Sequence, residues 1–549
     1  MQTDIPLYDV VQIGYGPVSE IMALALARQG RSVAVFERWS ERYPLPRAVC
    51  IDHELYRVLC ALGMGAQLPA VSHAGPDYRW FNAQWKELLS IDWKSESISG
   101  GPEVSFVHQP TLEKMFEQTV AACPNVELNL GWEAVGATQT ADHVEVSLRE
   151  VATGATRVVR GKYLVGADGA NSIVRRAIES TQEDLGFEAD WLVIDVLPNE
   201  GVTLDIPPAA QYCNPERPTT IVPAGVKDGR YFRRWEFMRL PHEKAADLEH
   251  EHVAWELLAP WVRPDQATIV RHKIYTFRSL LADTWRRGRM LIAGDAAHVM
   301  PPFMGQGMCA GLRDDWNLAW KLALVLDGQA DDRLLDSYQP ERRPHVRDVI
   351  ELSMYLGRVI CIPDAAKAAE RDELFFSGKA PPPPPFPSLT DGILRRGADG
   401  ALQAGAGLLS PHGTVRRGAS SGRFDDLTGI CFKLIVRSGA GLGGPGTRQR
   451  AFLERLGACT VQICDAQGNA DAKLEDDVLV DLDAKFGPFM AQLGIDAMLV
   501  RPDYYLYGVV AQGAPSGAID ALVDDLQADL EKHGLHAAAP RPVAAVAAG

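Results

Sequence analysis

The chain has no run of about 18 apolar residues, the length a membrane-spanning helix needs, so no membrane span is expected. It has no long basic cluster either, and its net charge is −16. Nucleic acid and anionic membrane both require a basic surface, so neither is an expected partner. The opening residues, MQTDIPLYDVVQIG, carry no basic leader, no apolar signal core and no small-residue cleavage site. Nine cysteines are an odd number and include no C-x-x-C. That argues against a disulfide frame or a zinc site and for reduced thiols in the cytoplasm, with no metal expected. Apolar residues at 46% and charged residues at 23% are ordinary for a soluble globular protein. At 549 residues the chain exceeds what one core organises, so two or three domains are expected.

The densest signal is RMLIAGDAAHVMPPFMGQGMCAGL, residues 289–312. An apolar strand (290–293) ends at Gly294-Asp295, and small residues and prolines follow. A Gly-Gln-Gly-Met turn at 305–308 then opens onto an amphipathic run through Leu326. A glycine before the acid lets a ligand approach the backbone closely, and the acid can accept hydrogen bonds from sugar hydroxyls. Bare N–H groups at a helix start can hold negative charge. Such a site suits a dinucleotide with a polyol arm and an anionic ring. FAD has both.

The N-terminus supplies the other half. An apolar strand (8–13) leads into Gly14-Tyr15-Gly16-Pro17-Val18-Ser19, a helical run (21–28) and a second strand (32–36) ending at Glu37. This is a dinucleotide fingerprint: pyrophosphate on the helix N-terminus, and an acid about 20 residues past the first glycine for the ribose. Ser19 replaces the third glycine, where a small residue serves close helix–strand packing. A third segment, KYLVGADGANS (162–172), is again a strand that ends in small residues and an acid, Asp168-Gly169.

These three segments follow the order and spacing of the single-component FAD-dependent aromatic hydroxylases. The chain resembles that family, most closely its 3-(3-hydroxyphenyl)propionate hydroxylase and phenol hydroxylase-like branch. The likeness includes Pro46-Arg47-Ala48, Gln109-Pro110, the RRWEFM run (233–238), Gln306-Gly307-Met308 and NLAWKL (317–322). It covers roughly residues 8–350 and continues more weakly to about residue 535. The resemblance implies an α/β fold: a Rossmann-like FAD-binding domain, an inserted β-sheet substrate domain and a C-terminal thioredoxin-like domain. Residues 1–185 and 281–380 would form the two parts of the FAD-binding domain, the second including closing helices, and 186–280 the β-rich substrate domain. A Pro/Gly-rich linker would span 381–411, beginning with the polyproline stretch 381–385, which must be extended. The α/β unit would occupy 412–535, without paired redox cysteines, and a disordered tail 536–549.

By the same resemblance, NADH or NADPH reduces FAD, and O2 yields a flavin C4a-hydroperoxide that hydroxylates a small phenolic substrate at the ortho position. Gly14, Gly16, Glu37 and Arg38 would hold the adenosine diphosphate portion. Arg47 and Gln109 would contact the pyrophosphate and ribityl side, and Asp295 the ribityl chain. Gly307 and Met308 would offer N–H groups to the flavin's pyrimidine edge, and Asp168 would support the flavin loop and the reductant's approach. A homodimer is left open.

Between 186 and 277 the pattern is β-rich, with strands at 191–196, 218–222, 231–239 and 268–275. Alternation over 231–238 puts Arg234 and Glu236 on one face and Arg233 and Trp235 on the other. The first face is either solvated or turned to the substrate, where Arg234 would steady a phenolate or a carboxylate. Asp52 matches the position of phenol hydroxylase's catalytic aspartate and is the candidate base; its other reading is a helix N-cap. His298 is expected to pack beside the cofactor loop, His108 sits beside Gln109 without an assigned role, and Pro301-Pro302 should shape the pocket wall and offer carbonyls. Two other functions share these motifs: a tailoring hydroxylase of polycyclic phenols, and a non-catalytic binding protein on the FAD fold. Glu37, Arg47, Asp168 and Asp295, all retained, speak against the second.

Overall fold

The computed structural model describes residues 5–42, 47–466 and 477–537. The tail expected to be disordered lies outside them from residue 538 on. The first sheet has eight strands. Its parallel core pairs Leu7–Ile13 with Thr156–Gly166 on one side and with Val33–Glu37 on the other. Met290–Ile292 extends it beyond Thr156–Gly166, and Val126–Leu130 beyond Val33–Glu37. Val10, Val11, Val33, Val35, Leu164, Val165, Leu291 and Ile292 are all fully buried. They read as unbroken apolar runs because helices cover a parallel sheet on both faces. The helix Pro17–Ala27 packs on it, and Ser19 reaches back to donate to Gln12 Oε1 at 3.1 Å. The serine in place of the third glycine thus ties helix to strand instead of separating them.

The second sheet is antiparallel along most of its length. Its long strands are Gln182–Pro198, Thr219–Lys227, Arg230–Met238 and Ala267–Ala282. The expected strands 191–196 and 268–275 lie within them, and 218–222 and 231–239 each overrun theirs by one residue. The hairpin Tyr78–Asn82 and Glu87–Ile91 joins this sheet through Ala210–Cys213, so its strands come from two distant parts of the chain. Alternation along it buries Leu192, Ile194, Val196, Trp235 and Phe237 in one core beneath the short helices at 245–258. The opposite face carries Asp195, Arg234 and Glu236.

After the helices Gly307–Leu326 and Tyr338–Ile360 the chain runs through the prolines and forms a third, seven-stranded sheet. Lys433–Arg437, Cys459–Asp465 and Val478–Asp481 are parallel, and Ile495–Val500 and Leu506–Ala511 add on antiparallel. With helices Thr447–Arg455 and Ala518–Lys532 on one face and Phe486–Leu493 on the other, this is the thioredoxin-like arrangement. The short hairpin Thr414–Arg417 and Ser420–Arg423 gives no sequence signal, because its residues are polar and its strands span four residues each. Among the described residues, no helix is long and apolar enough to cross a membrane, and no group of side chains could hold a metal ion.

Buried ion clusters join this third sheet to the rest. Arg57 forks onto Asp425 at 2.7 and 3.1 Å, donates to the Ser410 carbonyl, and lies 3.7 Å over the Tyr504 ring. Glu341 accepts from Lys321 (2.7 Å), Arg501 (2.5 Å) and Asn317 (2.7 Å). Burial alone would push the Glu341 carboxyl up; Arg501 and Lys321 outweigh it and hold it at about 2. A carboxylate depressed from its ordinary 4.5 contributes stability that is complete above pH 4.5 and is lost as pH falls towards about 2. Glu341→Gln should therefore lower unfolding free energy at neutral pH by about 3–5 kcal/mol, the usual cost of breaking a buried pair. It should also flatten the loss of stability over that acid window. Denaturant unfolding at stepped pH measures both, and an unchanged acid slope in the variant would show that another group sets it.

Candidate active site

A cavity of about 750 Å³ opens at the carboxyl ends of the parallel strands and runs to the polar face of the second sheet. Glu37, Asp168 and Asp295 border it because each stands at or just past the end of a parallel strand. That edge is where open α/β sheets bind ligands. Gly14, Gly16, Arg38, Arg47, Gln109, Gly307 and Met308 also line it, as do Arg234 and Glu236. The structure thus gathers every sequence-derived site residue except Asp52.

The geometry fits a dinucleotide. Gly14 has φ +97°, and a Cβ there would stand 2.3 Å from the Ala167 carbonyl oxygen, so the glycine turn and the Asp168 loop touch backbone to backbone. Helix Pro17–Ala27 starts at Gly16, which offers no side-chain cap, and helix Gly307–Leu326 starts at Gln306 with none either. Two bare helix N-termini therefore open on one cavity, and a helix start of this kind can hold negative charge. Glu37 accepts from the Tyr15 N–H (2.8 Å) and the Trp39 N–H (3.0 Å), which fixes its carboxylate at the rim. Asp168 Oδ2 accepts from the Ile173 N–H at 2.7 Å, while Oδ1 is buried with no partner among the described residues. Burial raises this carboxyl, as expected where a ligand donor is still to come. FAD fits this set of groups.

Gln109 differs from expectation in how it acts. Its Oε1 accepts from the Arg47 and Ala48 N–H groups (2.9 and 2.6 Å) and its Nε2 donates to Glu113 (2.5 Å). It therefore holds the Arg47 loop in place. The same loop is gripped from the other side, where Arg234 Nη1 donates to the Arg47 carbonyl at 2.6 Å. Pro301 and Pro302 do shape the wall, but their carbonyls are engaged by Ser353 Oγ and the Gly305 N–H.

Asp52 is the correction. It caps the helix His53–Leu59 by accepting from the Leu55 N–H at 3.0 Å, and its other oxygen takes Arg313 Nη2 at 2.5 Å. It does not border the cavity. Burial works to raise its carboxyl, but Arg313 outweighs burial and holds it low. His298 packs as expected, fully buried, with Nε2 2.7 Å from Asp314. Asp314 also accepts from the Gly294 N–H (3.0 Å) and Arg342 (2.9 Å), and so fixes the turn before Asp295. His108 sits on Thr111 and stacks on Phe232, outside the cavity lining.

Sequence reasoning missed Asp195, Arg271 and Tyr275. Asp195 stands opposite Arg234 on one neighbouring strand and Arg271 on the other. It takes the Arg234 fork at 2.6 and 2.9 Å and lies 3.5 Å from Arg271. A lone acid inside the apolar strand WLVIDV was the available signal, since such an acid needs a buried cation. Arg271 lies 4.6 Å over the Tyr275 ring, and both border the cavity.

Asp295 is exposed and, of the three strand-end acids, stands closest in sequence to the turn at 305–308. Asp295→Ala should weaken FAD retention by about 1.5–3 kcal/mol, the worth of a hydrogen bond to a charged group. FAD titration of the apoprotein measures this, and native affinity in the variant would remove Asp295 from the site.

Comparison with known proteins agrees with this geometry. The model of the FAD binding domain family matches residues 7–353, and that of the HcaD C-terminal domain matches 407–526. A probable NADH-specific resorcinol 4-hydroxylase of Rhodococcus jostii is 34% identical, covering 92% of each chain. A 3-(3-hydroxy-phenyl)propionate/3-hydroxycinnamic acid hydroxylase of Klebsiella pneumoniae is 30% identical, over 94% of each. Aklavinone-11 hydroxylase, solved with FAD and aklavinone, shares the fold at a TM-score of 0.75 and 21% identity, over 95% of this chain and 99% of that one. The chain belongs to the FAD-dependent aromatic hydroxylases.

Proposed function

We propose that the chain hydroxylates a small monocyclic phenol of the resorcinol type, ortho to a ring hydroxyl, with O2 and NADH or NADPH. One oxygen atom enters the ring and the other leaves as water, with two electrons supplied by the nicotinamide. When bound, FAD supplies the oxygen activation. The observation that carries the reading is the second sheet's polar face. Glu236, Arg271 and Tyr275 border the same cavity as the turn at 305–308, alongside the apolar Val193 and Phe277. A ring held there has aromatic and aliphatic contacts, one buried carboxyl and a cation.

Glu236 is the group suited to take the phenol proton. Burial pushes its carboxyl above the ordinary 4.5, against the pull of Arg234, which brings it closer to a phenol's own range. Arg271, beside Asp195, would steady the resulting anion. The Arg234 fork is engaged by Asp195, which favours a neutral ring over one with an acidic arm. The similarity to the resorcinol 4-hydroxylase supports the same choice, and NADH as reductant. Arg271 at the cavity wall supports a second reading, a ring with a short carboxylate arm such as 3-(3-hydroxyphenyl)propionate. Product identification after substrate-stimulated NADH oxidation with both compounds and a fused polycyclic phenol separates these readings. Turnover of the polycycle alone would overturn the monocyclic assignment.

Glu236→Gln should leave FAD bound and reducible. Product formation should fall about 10²–10⁴-fold, the usual worth of a positioned base, with NADH consumption going to peroxide. In the native protein product formation should rise with pH through the raised carboxyl value, because the base must be ionised, and this acid limb should vanish in the variant. Native coupling with the acid limb intact would return Glu236 to a structural role.

A further inference from the structure

Residues of the C-terminal sheet do not line the cavity, yet Tyr505, in the connection between its strands Ile495–Val500 and Leu506–Ala511, is linked through other side chains to the turn that does. Tyr505 Oη donates to Glu54 Oε2 at 3.2 Å. The same oxygen accepts from Arg313 Nε at 2.5 Å. Arg313 Nη1 donates to Gln306 Oε1 at 2.9 Å, and Nη2 to Asp52 at 2.5 Å. All five side chains are buried, and Phe386 of the proline-rich segment lies 5.0 Å over the guanidinium. Gln306 is the middle of the turn. Before it stands Gly305, at φ +64° with a Cβ-sized space filled by Cys50 Sγ, and after it Gly307 opens the helix. A planar guanidinium held at all three nitrogens cannot rotate, so the position of Gln306 follows that of Glu54 and Asp52.

We propose that Tyr505 is a positioning residue for the turn at 305–308, acting through Glu54, Arg313 and Gln306, so that the C-terminal unit sets the geometry of a cofactor site it does not touch. This rests on the reading that puts the flavin ring at that turn, and on nothing about the substrate. Catalytic geometry is held by the groups behind the contacting ones, and a displacement of an ångström at such a turn is felt in binding.

The test uses the full-length chain with FAD as the probe, reading its dissociation constant and the visible spectrum of the bound flavin. Met308→Pro removes one N–H of the turn at a first-turn position where proline is tolerated. It should shift the spectrum if the ring sits there. Tyr505→Phe keeps the ring packing and removes only the hydroxyl; FAD affinity should fall about three- to tenfold. Arg313→Lys, which cannot fork, should lower it further. In a Gln306→Ala background Tyr505→Phe should have no additional effect, a result that general loosening of the fold would not give. If Met308→Pro shifts the flavin while Tyr505→Phe changes nothing, or costs the same in both backgrounds, the positioning role is overturned and the flavin placement stands. If Met308→Pro leaves the flavin unmoved, the placement itself fails and the proposal with it.

Discussion

A charge taken out of water must find a partner, and this structure meets that requirement across long stretches of chain. Arg57 meets Asp425, Glu341 meets Arg501, and Arg313 meets Asp52 and Glu54. Arg342 meets Asp314, and Arg234 meets Asp195. Replacing such pairs with apolar groups can be neutral or stabilising, but losing one partner is costly. Each cluster ties together segments that are distant in the chain, and losing one of its charges would leave the other buried without its partner. The hydrophobic cores supply the bulk of the stability, and the ion clusters decide how the cores are mounted on one another.

Locality explains which parts of the site were legible in the sequence. Glu37, Asp168 and Asp295 each close an apolar strand a few residues long, so strand, turn and acid appear together in the text. The parallel pairing then needs only to bring three such ends to one edge. The helices Phe486–Leu493 and Ala518–Lys532 are local in the same sense, since their periodicity is contained within themselves. Asp52 was misleading because what fixes its role is Arg313, 261 residues away. The hairpin Thr414–Arg417 and Ser420–Arg423 and the entry of Tyr78–Asn82 into the second sheet are likewise settled by pairing partners, not by local pattern.

Asp195 sits between these cases. An acid within WLVIDV contradicts a fully apolar strand, and the contradiction is itself information. Because side chains alternate along a strand, Asp195 faces away from Leu192 and Ile194, and so must share its face with Arg234 and Arg271 once the register is set. The same alternation explains why RRWEFM can carry Arg234 and Glu236 in a buried strand; Arg233, on the other face, is half-buried near the strand's start and donates to the Pro207 and Pro208 carbonyls. Trp235 and Phe237 fill the core on one side, while Arg234 and Glu236 belong to the cavity on the other.

The two sheets contribute unlike things to the cavity they share. A parallel sheet ends in turns and helix starts, so it offers backbone N–H groups and acids, which suit phosphate, sugar and an electron-rich ring edge. The face of an antiparallel sheet offers alternating side chains at fixed spacing, which suit a small ring and the proton it must lose. Neither could do the other's work. Their junction is the Arg47 loop, held by Gln109 from one side and by Arg234, from the antiparallel sheet, from the other. Arg234 is bound to Asp195 within the antiparallel sheet and to the Arg47 carbonyl beyond it, so it links the two halves of the cavity. A protein that must keep water from the reacting atoms while two ligands lie against each other needs such a fixed seam. A buried, forked arginine provides it at the cost of requiring Asp195 in the middle of an otherwise apolar strand.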